Sequence, residues 1–409
     1  MRSPWVQLFA AIFALSIGPG VCAGPQEAGN ADAHAGFDGQ FRPAAPDSTL
    51  AGTETAYLPA LFASSHAANL LQLANGDLLC FWFSGSWEGE SGVAIVMSRL
   101  PAGSNRWTQT QVIDQKPGKS YQNPVAFQSH DGRVWLLHTA QTANRGQGDA
   151  QVWSLISTDN GITWTAPSLL FAEPGSFTRH PPLLDASRWV LPMSFTPGAG
   201  LTGERSLNYS AFELSTDEGK TWHECAVPGT NGLLTQPSVV HDKAGAYIAF
   251  FRSLQSDWIY RATSADGCKW SHPQPTQLPN NNASVQAFRL RNGHLVIAFD
   301  NSGPYLANGR RVSGPRKPLS IALSLDDGRT WPWVRDLETG DAATKEWNSP
   351  PGHDEYSYPT VVEDARGRIV VAYSWQRSTI KVVRFSESWI KAAATVGSFH
   401  GDSRNPAGH

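Results

Sequence analysis

The sequence has little charge and few cysteines. Only 16% of its 409 residues are charged, the formal net charge is −3, and four residues are cysteine. There is no run of basic residues, which argues against nucleic acid or a membrane surface as a partner. No cluster of cysteine and histidine has the spacing of metal ligands, and we expect neither a metal nor a cofactor. After residue 23, no stretch is long and apolar enough to span a bilayer.

Residues 1–23 have the pattern of a secretory signal peptide. Arg2 supplies the positive charge, residues 5–17 form a mostly apolar core, and residues 21–23 (Val-Cys-Ala) form a small-residue cleavage site. A membrane anchor is the alternative, but the apolar run is shorter than the roughly 20 residues that a span needs. We therefore expect an exported protein that is periplasmic or extracellular.

Cleavage after residue 23 would leave three cysteines. Cys80 lies in the apolar run 78–83 and is expected in the core. Cys225 follows one copy of the repeat described below, and Cys268 lies within the next copy. Export permits disulfides, but the sequence leaves open whether Cys225 and Cys268 pair.

A short phrase recurs along the chain. It has the form Ser-x-Asp-x-Gly-x-Thr-Trp. Full copies lie at 157–164, 215–222 and 324–331, a copy one residue shorter lies at 264–270, and a degenerate copy without the aspartate lies at 98–107. The serine and aspartate can bond to nearby backbone groups, and the glycine supplies a positive φ, so the phrase predicts a tight turn. Its final tryptophans lie 48 to 61 residues apart, which is the scale of a repeat fold.

Between residues 55 and 395 the chain is a series of short apolar runs separated by turns. These runs form six units, and most units carry the recurring turn after their third run. The pattern predicts an all-β fold, a six-bladed β-propeller of four-stranded blades, with residues near 56–62 completing the last blade. Residues 24–54 are rich in Ala, Gly, Pro and Asp and are expected to form a flexible linker, and residues 396–409 a flexible tail.

The repeated phrase is similar to the Asp-box, or bacterial neuraminidase repeat, and the region 55–395 resembles the sialidase superfamily of six-bladed propellers. The resemblance implies a glycan substrate and a particular site. Sialidases hold the sugar carboxylate with three arginines, attack with a tyrosine that a glutamate assists, and protonate the leaving group from a loop acid. Arginine suits this role because its planar fork binds a carboxylate through two hydrogen bonds.

Several residues match this site by their place in the pattern. Arg252 ends an apolar second run, and Arg316 precedes an Asp-box, where the family has its second and third arginines. Tyr356 begins the last inner run and is the counterpart of the nucleophile. The acid is expected on the loop 83–91, where Glu88 is the first candidate and Glu90 the second. The alternatives are an arginine that caps a strand, a tyrosine that packs between blades, and a solvated loop carboxylate.

Two positions depart from the family pattern. His66 stands where the first arginine is expected, and Gln236 stands before Pro237 where the assisting glutamate is expected. A histidine would hold a carboxylate only in a pH-dependent way, and Gln236 cannot accept the phenol proton, although Glu355 beside Tyr356 could. These departures resemble a divergent branch of the superfamily, usually labelled predicted neuraminidase.

The resemblance implies an exo-glycosidase that removes a terminal acidic sugar, sialic acid or a related one, by a retaining mechanism. A uronate-acting polysaccharide lyase is an alternative, in which arginines neutralise the carboxylate, His66 or His180 removes the neighbouring proton, and Tyr356 protonates the leaving oxygen. A non-catalytic propeller that binds glycans is another, because sixteen tryptophans supply many surfaces for sugars.

Overall fold

The described part of the chain forms six antiparallel β-sheets of four or five strands, which follow one another in chain order, and a separate two-stranded sheet. The computed structural model describes residues 36–196, 208–303, 305–307, 310–340 and 355–392. The predicted signal peptide and the predicted tail from 396 lie outside these ranges. Within them, no helix has the length and apolar character that a bilayer crossing requires.

The strands are named in chain order, and each blade is one sheet. Two strands come first, β1 (Arg42–Pro43) and β2 (Glu54–Tyr57). Blade one is β3 (Ser64–Gln72), β4 (Leu78–Gly85), β5 (Ala94–Leu100) and β6 (Gln111–Asp114), and blade two is β7 (Lys119–Gln128), β8 (Val134–Thr142), β9 (Gln151–Ser157) and β10 (Ser168–Phe171). Blade three is β11 (Ser176–Thr178), β12 (Leu183–Leu184), β13 (Trp189–Phe195), β14 (Tyr209–Ser215) and β15 (His223–Ala226), and blade four is β16 (Leu234–His241), β17 (Tyr247–Ser253), β18 (Trp258–Ser264) and β19 (Gln274–Pro279).

Blade five contains an inserted hairpin, and blade six uses both ends of the chain. Blade five is β20 (Gln286–Arg289), β21 (Leu295–Asp300), β24 (Leu319–Ser324) and β25 (Trp333–Glu338), with the hairpin β22 (Tyr305–Ala307) and β23 (Arg310–Val312). Blade six is β26 (Tyr356–Glu363), β27 (Ile369–Trp375) and β28 (Thr379–Phe385), followed by the short helix α1 (Glu387–Lys391). The prediction of an all-β, six-bladed propeller is confirmed.

The ring closes through the N-terminal strands. β2 pairs with β28, with Ala56 opposite Val382, so a strand from the start of the propeller completes the last blade as predicted. Such closure removes a sheet edge that would otherwise be open to other chains. The predicted linker 24–54 is wrong over its second half: β1 pairs with β2, and Phe41 and Leu50 are buried. The composition did not indicate this packing, because two buried apolar residues, Phe41 and Leu50, are enough to anchor the segment.

The recurring phrase forms the turns that it predicts. In the copy at 215–222, Asp217 Oδ1 accepts hydrogen bonds from the backbone N–H of Lys220 at 3.1 Å and of Thr221 at 2.9 Å. The Gly219 N–H donates to Ser215 Oγ at 2.9 Å, and a Cβ at Gly219, where φ is 80°, would lie 2.8 Å from the Trp189 ring. The phrase therefore fastens the third strand of a blade to its fourth, at the end of the sheet where β14 finishes.

The apolar core lies between neighbouring blades, because each sheet packs its faces against the next sheet around the ring. One cluster joins Trp82 of blade one with Val370 and Val382 of blade six. Another joins Phe250 of blade four with Ile297 of blade five and the Asp-box tryptophan Trp331. This packing holds the inner strands at fixed distances around the central axis.

Cys225 and Cys268 form a disulfide, which answers the question that the sequence left open. The bond joins β15 of blade three to the Asp-box turn of blade four. Cys80 is buried in β4, as expected.

The outer strands of blade three carry two glutamates in register, Glu213 on β14 and Glu224 on β15. Burial and the negative charge of Glu224 raise the pKa of Glu213 to about 7. A raised carboxyl pKa means that the folded protein loses stability as the pH rises from about 4.5, with the full cost present above 7.

We therefore predict that Glu213→Gln stabilises the protein by on the order of 2 kcal/mol at pH 8 and has little effect at pH 4.5, where Glu213 is protonated in the folded state and about half ionised in the unfolded one. Chemical denaturation at the two pH values measures this difference. An equal effect at both pH values would show that folding does not raise the pKa of Glu213.

Candidate active site

A cleft of about 380 Å³ opens where the ends of several blades meet near the axis. It receives residues from the β4–β5 loop, from blades three and four, from the segment before β24, from β26 and from the β27–β28 turn. Its lining is Trp87, Glu88, Gln147, Phe177, Thr196, Asn208, Thr235, Gln236, Arg252, Leu254, Arg316, Tyr358 and Arg377.

The inner strands of four blades share one irregularity at this end. Ala67, Asn123, Gln236 and Tyr358 all have positive φ, between 48° and 59°, and at each of them the pairing with the next strand shifts. In three of the four strands the following residue is proline, which has no N–H to donate to the ladder. The bulge places Gln236 and Tyr358 at equivalent positions, and both line the cleft.

Three arginines lie together in the cleft, and we call Arg252, Arg316 and Arg377 the arginine cluster. Arg252 is near the end of β17, Arg316 precedes β24, and Arg377 is in the turn between β27 and β28. Arg316 is 5% exposed and Arg377 is 3% exposed, so their charges are largely removed from water. A group of buried guanidinium forks favours an anionic ligand with planar oxygens, above all a carboxylate.

Glu355 supports the arginine cluster from a buried position. Its Oε1 accepts hydrogen bonds from Arg316 Nη1 at 2.7 Å, Arg377 Nε at 3.1 Å and Ser357 Oγ at 2.7 Å. Burial alone would raise the pKa of Glu355, but Arg316 and Arg377 outweigh it and lower that pKa. The carboxylate is therefore held ionised, and it orients two arginines at once.

The Tyr358 phenol points at this positive group. Arg252 Nη1 donates to its oxygen at 2.6 Å, and the Arg316 guanidinium lies 5.2 Å from the ring centre. Burial would raise the pKa of Tyr358, but Arg252 and Arg316 lower it below its ordinary value. The surroundings of Tyr358 therefore make the phenolate easier to form than in an ordinary tyrosine, and the phenolate is a better nucleophile and a better base than the phenol.

Gln236 touches the same pair of side chains. Arg252 Nη1 donates to Gln236 Oε1 at 2.9 Å, and the Gln236 amide stabilises the ionised form of Tyr358 by a hydrogen bond. Gln236 thus lies beside Tyr358 and not beside Tyr356, the tyrosine with which the sequence analysis paired it, and it cannot act as a proton acceptor.

The two loop glutamates are separated by the structure. Glu88 lines the cleft, and its Oε2 accepts from Arg377 Nη1 at 2.7 Å, with a third of its side chain exposed. Glu90 is outside the lining and accepts from Ser86 Oγ at 2.5 Å on the exposed side of the loop. Glu88 is therefore the loop carboxylate that can reach a ligand in the cleft.

The structure does not place Tyr356 in the cleft. Its ring belongs to the core between blades five and six with Ile321 and Val361, and its oxygen accepts from Gln376 Nε2 at 3.3 Å. The tyrosine that faces the arginines is Tyr358, two residues along. Tyr356 was inferred from its place in a segment that resembles the family motif, and such a match does not register the bulge at Tyr358, where φ is 55° and the pairing with β27 shifts.

His66 and His180 are buried outside the cleft lining. The His66 ring packs 4.3 Å from the Tyr358 ring centre, and neither of its nitrogens has a hydrogen-bond partner among the described residues. Burial and then the charge of Arg377 hold the pKa of His66 well below its usual range, so it is neutral and cannot bind a carboxylate as a cation. Burial likewise lowers the pKa of His180, whose Nε2 contacts Ser284.

Sequence reasoning missed Arg377 and Tyr358. Arg377 has φ 56° and comes from blade six, but its carbonyl accepts the N–H of Ser65, so it lies beside the strand in which His66 replaces the expected arginine. No motif marks such a turn. For Tyr358 a signal existed: Gln236 and Tyr358 both precede a proline in an inner strand.

Among the described residues, one group of neighbouring side chains has the chemistry of metal ligands, but it does not form a metal site. His223, Cys225 and Cys268 lie together, but the two sulfurs are joined as a disulfide and are not available as thiolates.

Comparisons with known proteins agree with this fold. The family model for the BNR repeat-like domain matches residues 76–371. No curated protein matches the sequence. Among solved structures, a Hadza microbial sialidase is 16% identical, with a TM-score of 0.64 over 80% of this chain and 67% of that one. An intramolecular trans-sialidase from Ruminococcus gnavus is 14% identical, with a TM-score of 0.61 over 82% of this chain and 97% of that one. A protein of unknown function from Dyadobacter fermentans is 16% identical, with a TM-score of 0.62 over 81% of this chain and 97% of that one.

The position of Glu355 between two arginines predicts a large effect of its removal on stability. Glu355→Gln should lower the free energy of unfolding by about 3 kcal/mol, because it leaves Arg316 and Arg377 buried without their shared anion. Chemical denaturation at pH 7 measures the loss. The exposed Glu90→Gln, which removes a charge from the neighbouring loop, is the control and should change stability little. Equal effects of the two changes would contradict this role.

Proposed function

This chain belongs to the BNR repeat-like domain family, within the sialidase superfamily, and from that premise we propose that it is a glycosidase that removes a terminal acidic sugar from a glycan. The observation that carries the proposal is the 2.6 Å contact between Arg252 Nη1 and the Tyr358 oxygen, inside the arginine cluster. A reactive oxygen and a carboxylate-binding group are thus adjacent. Fold likeness at 12 to 16% identity supports the architecture, so the function rests on this site.

The short distance between Tyr358 and the arginines restricts the substrate. A carboxylate bound by Arg252 and Arg316 would be attached to the carbon that Tyr358 reaches, or directly beside it. Sialic acid and related 2-keto sugar acids have this arrangement, because their carboxylate is on the anomeric carbon. In a uronic acid the carboxylate is at the other side of the ring oxygen, so anomeric attack would place it farther from Tyr358. The site therefore favours a sialic-acid-like sugar for hydrolysis.

The proposed reaction uses Tyr358 as nucleophile and Glu88 as acid. Tyr358 reacts as the phenolate: its oxygen bonds to the anomeric carbon while the bond from that carbon to the leaving oxygen breaks, and Glu88 gives its proton to that oxygen. A water then attacks the same carbon, the bond to Tyr358 breaks, and the water gives a proton to Glu88. The two displacements retain the anomeric configuration, and sialidases with a tyrosine nucleophile are an exception to the two-carboxylate rule.

The pairing of Glu88 with Arg377 fits this sequence of events. Glu88 Oε2 accepts a hydrogen bond from Arg377 Nη1 at 2.7 Å, so a substrate carboxylate that binds Arg377 would take the place of Glu88. Glu88 would then leave this ion pair while still lining the cleft, and its carboxyl group would be available to the leaving oxygen.

The proposal includes export, because residues 1–23 have the pattern of a signal peptide and the disulfide fits an oxidising compartment. The N-terminal sequence of the protein recovered outside the cytoplasm should begin after Ala23. Recovery of the uncleaved chain from the cytoplasm alone would contradict export.

A uronate lyase is the second candidate, and the observation that favours it is Gln236 beside Tyr358 in place of a glutamate. A phenolate at Tyr358 would remove the proton from the carbon that bears the carboxylate, and the bond to the oxygen on the neighbouring carbon would break to form a double bond. Tyr358 or Glu88 would protonate the leaving oxygen. His66 and His180 are buried outside the cleft lining, so they are poor candidates for the base.

We predict that Tyr358→Phe lowers turnover of an acidic glycoside by roughly 10⁴-fold or more, because it removes the atom that forms the covalent intermediate. Tyr356→Phe is the matched control and should leave turnover within a few-fold of the original, since that oxygen is outside the cleft. Initial rates on a sialoside with a chromogenic leaving group measure both. A greater loss in Tyr356→Phe would restore Tyr356 as the nucleophile.

A mechanism-based fluorosugar should add its mass to the peptide that contains Tyr358. A protein that hydrolyses sialosides with retention and never labels there would contradict the nucleophile assignment. Unsaturated uronate absorbing in the ultraviolet, produced from uronate-ended oligosaccharides, would establish the lyase instead. Binding of either sugar without any product would indicate a glycan-binding protein.

The arginine cluster gives a further prediction. Arg252→Lys, Arg316→Lys and Arg377→Lys each keep a charge but lose the planar fork, so each should lower kcat/KM by about tenfold to a hundredfold. Arg291→Lys is the control, because its side chain is exposed, pairs with Glu363 and does not line the cleft. If Arg377→Lys behaved like Arg291→Lys, Arg377 would not bind the carboxylate.

A further inference from the structure

Arg179 is a charged side chain that the proposed reaction does not use, although it lies at the centre of the ring. It follows β11 in blade three and is 2% exposed. Its guanidinium donates to Ser284 Oγ at 3.2 Å, to the carbonyl of Ala68 at 3.1 Å, and to the carbonyls of Tyr358 and Pro359 at 2.9 and 3.2 Å. One side chain therefore joins blade three to segments of blades one, five and six.

Arg179 has no carboxylate partner among the described residues. Burial lowers its pKa to about 10, and only the negative charge available at Tyr358 acts to raise that pKa. A buried cation without an anion is costly, and neutral carbonyl groups offset only part of the cost. The unbalanced charge therefore favours an anion close by.

Tyr358 is a group beside Arg179 that can become an anion. The Arg179 guanidinium lies 5.1 Å from the centre of the Tyr358 ring, and it also bonds the carbonyls on both sides of the bulge. Tyr358 has φ 55°, a conformation that a side-chain-bearing residue adopts at a cost unless its surroundings hold it. Arg179 thus acts on the backbone of Tyr358 and on its charge.

We propose that Arg179 is a positioning residue that holds Tyr358 in its positive-φ conformation and stabilises the tyrosine as a phenolate. A glutamate at position 236 would help Tyr358 to ionise by accepting the phenol proton. Arg179 helps instead by the attraction of its positive charge for the phenolate. The use of that phenolate as a nucleophile rests on the proposed function, but its formation does not. The other titratable groups around the ring are Arg252 and Arg316, Glu88, the neutral His66, and the pair of Arg377 and Glu355.

Ultraviolet difference titration of the phenol tests the proposal without any substrate. Arg179→Met and Arg179→Lys are each compared with the same variant carrying Tyr358→Phe, so that the difference isolates Tyr358 from the other tyrosines. Arg179→Met should lower the ionisation constant of Tyr358 by about tenfold, which corresponds to the loss of one nearby opposite charge. Arg179→Lys keeps the charge and should stay within about threefold of the original.

An unchanged titration of Tyr358 in folded Arg179→Met would overturn the proposal, as would equal shifts in the methionine and lysine variants. If the methionine variant does not fold, nitrogen-15 NMR of the arginines replaces it. The Nε resonance that disappears in Arg179→Lys should move in the original protein as Tyr358 ionises, and should not move in Tyr358→Phe. An Arg179 Nε resonance whose chemical shift does not change as Tyr358 ionises would also overturn the proposal.

The outcome separates this proposal from the proposed function. A protein whose Tyr358 titration depends on Arg179 but which cleaves no acidic glycoside would retain the positioning role and lose the glycosidase. If the protein is an active glycosidase but the titration of Tyr358 does not depend on Arg179, the glycosidase stands and the positioning role is wrong.

Discussion

The close grouping of four arginines, of which Arg179, Arg316 and Arg377 are buried and Arg252 is half-buried, is the constraint on which the site depends. Each guanidinium must be removed from water, and that cost has to be offset by anions or oriented dipoles. Glu355 offsets two of them, Arg316 and Arg377, through one carboxylate oxygen. Arg252 bonds to side-chain oxygens, and Arg179 bonds mainly to carbonyls. The group keeps an excess of positive charge facing the cleft, which is the physical basis for its selection of acidic ligands.

The propeller makes this arrangement possible because it brings the ends of all inner strands to one place. Bulges at equivalent positions of four blades then direct individual residues toward the axis. The core between the blades keeps the strands at fixed distances, so the guanidinium groups cannot move apart to relieve their repulsion. The Asp-box turns contribute to this rigidity at the opposite ends of the strands and take no part in the cleft.

Two departures from the expected pattern are related in the structure. The arginine expected in the first inner strand is absent, and Arg377 reaches the same region from the last blade. The glutamate expected beside the tyrosine is Gln236, and the phenolate is favoured by arginine charge instead. Each substitution preserves an electrostatic function while a different residue supplies it. The site is therefore consistent with acidic-sugar chemistry through a distinct set of side chains.

The sequence by itself determined the repeat, the six blades and the closure by an N-terminal strand, and it named Arg252, Arg316, Gln236 and Glu88, which the fold brings to one cleft. These follow from local signals, namely turn chemistry, apolar periodicity and position in a repeated unit. Tertiary structure alone decided that Tyr358 rather than Tyr356 faces the arginines, that Arg377 belongs to the cluster, that His66 is neutral, and that residues 36–54 are packed. The reason is physical: a bulge reverses which side chains face the axis, and the charge on a buried group depends on neighbours from other blades, which no local pattern specifies.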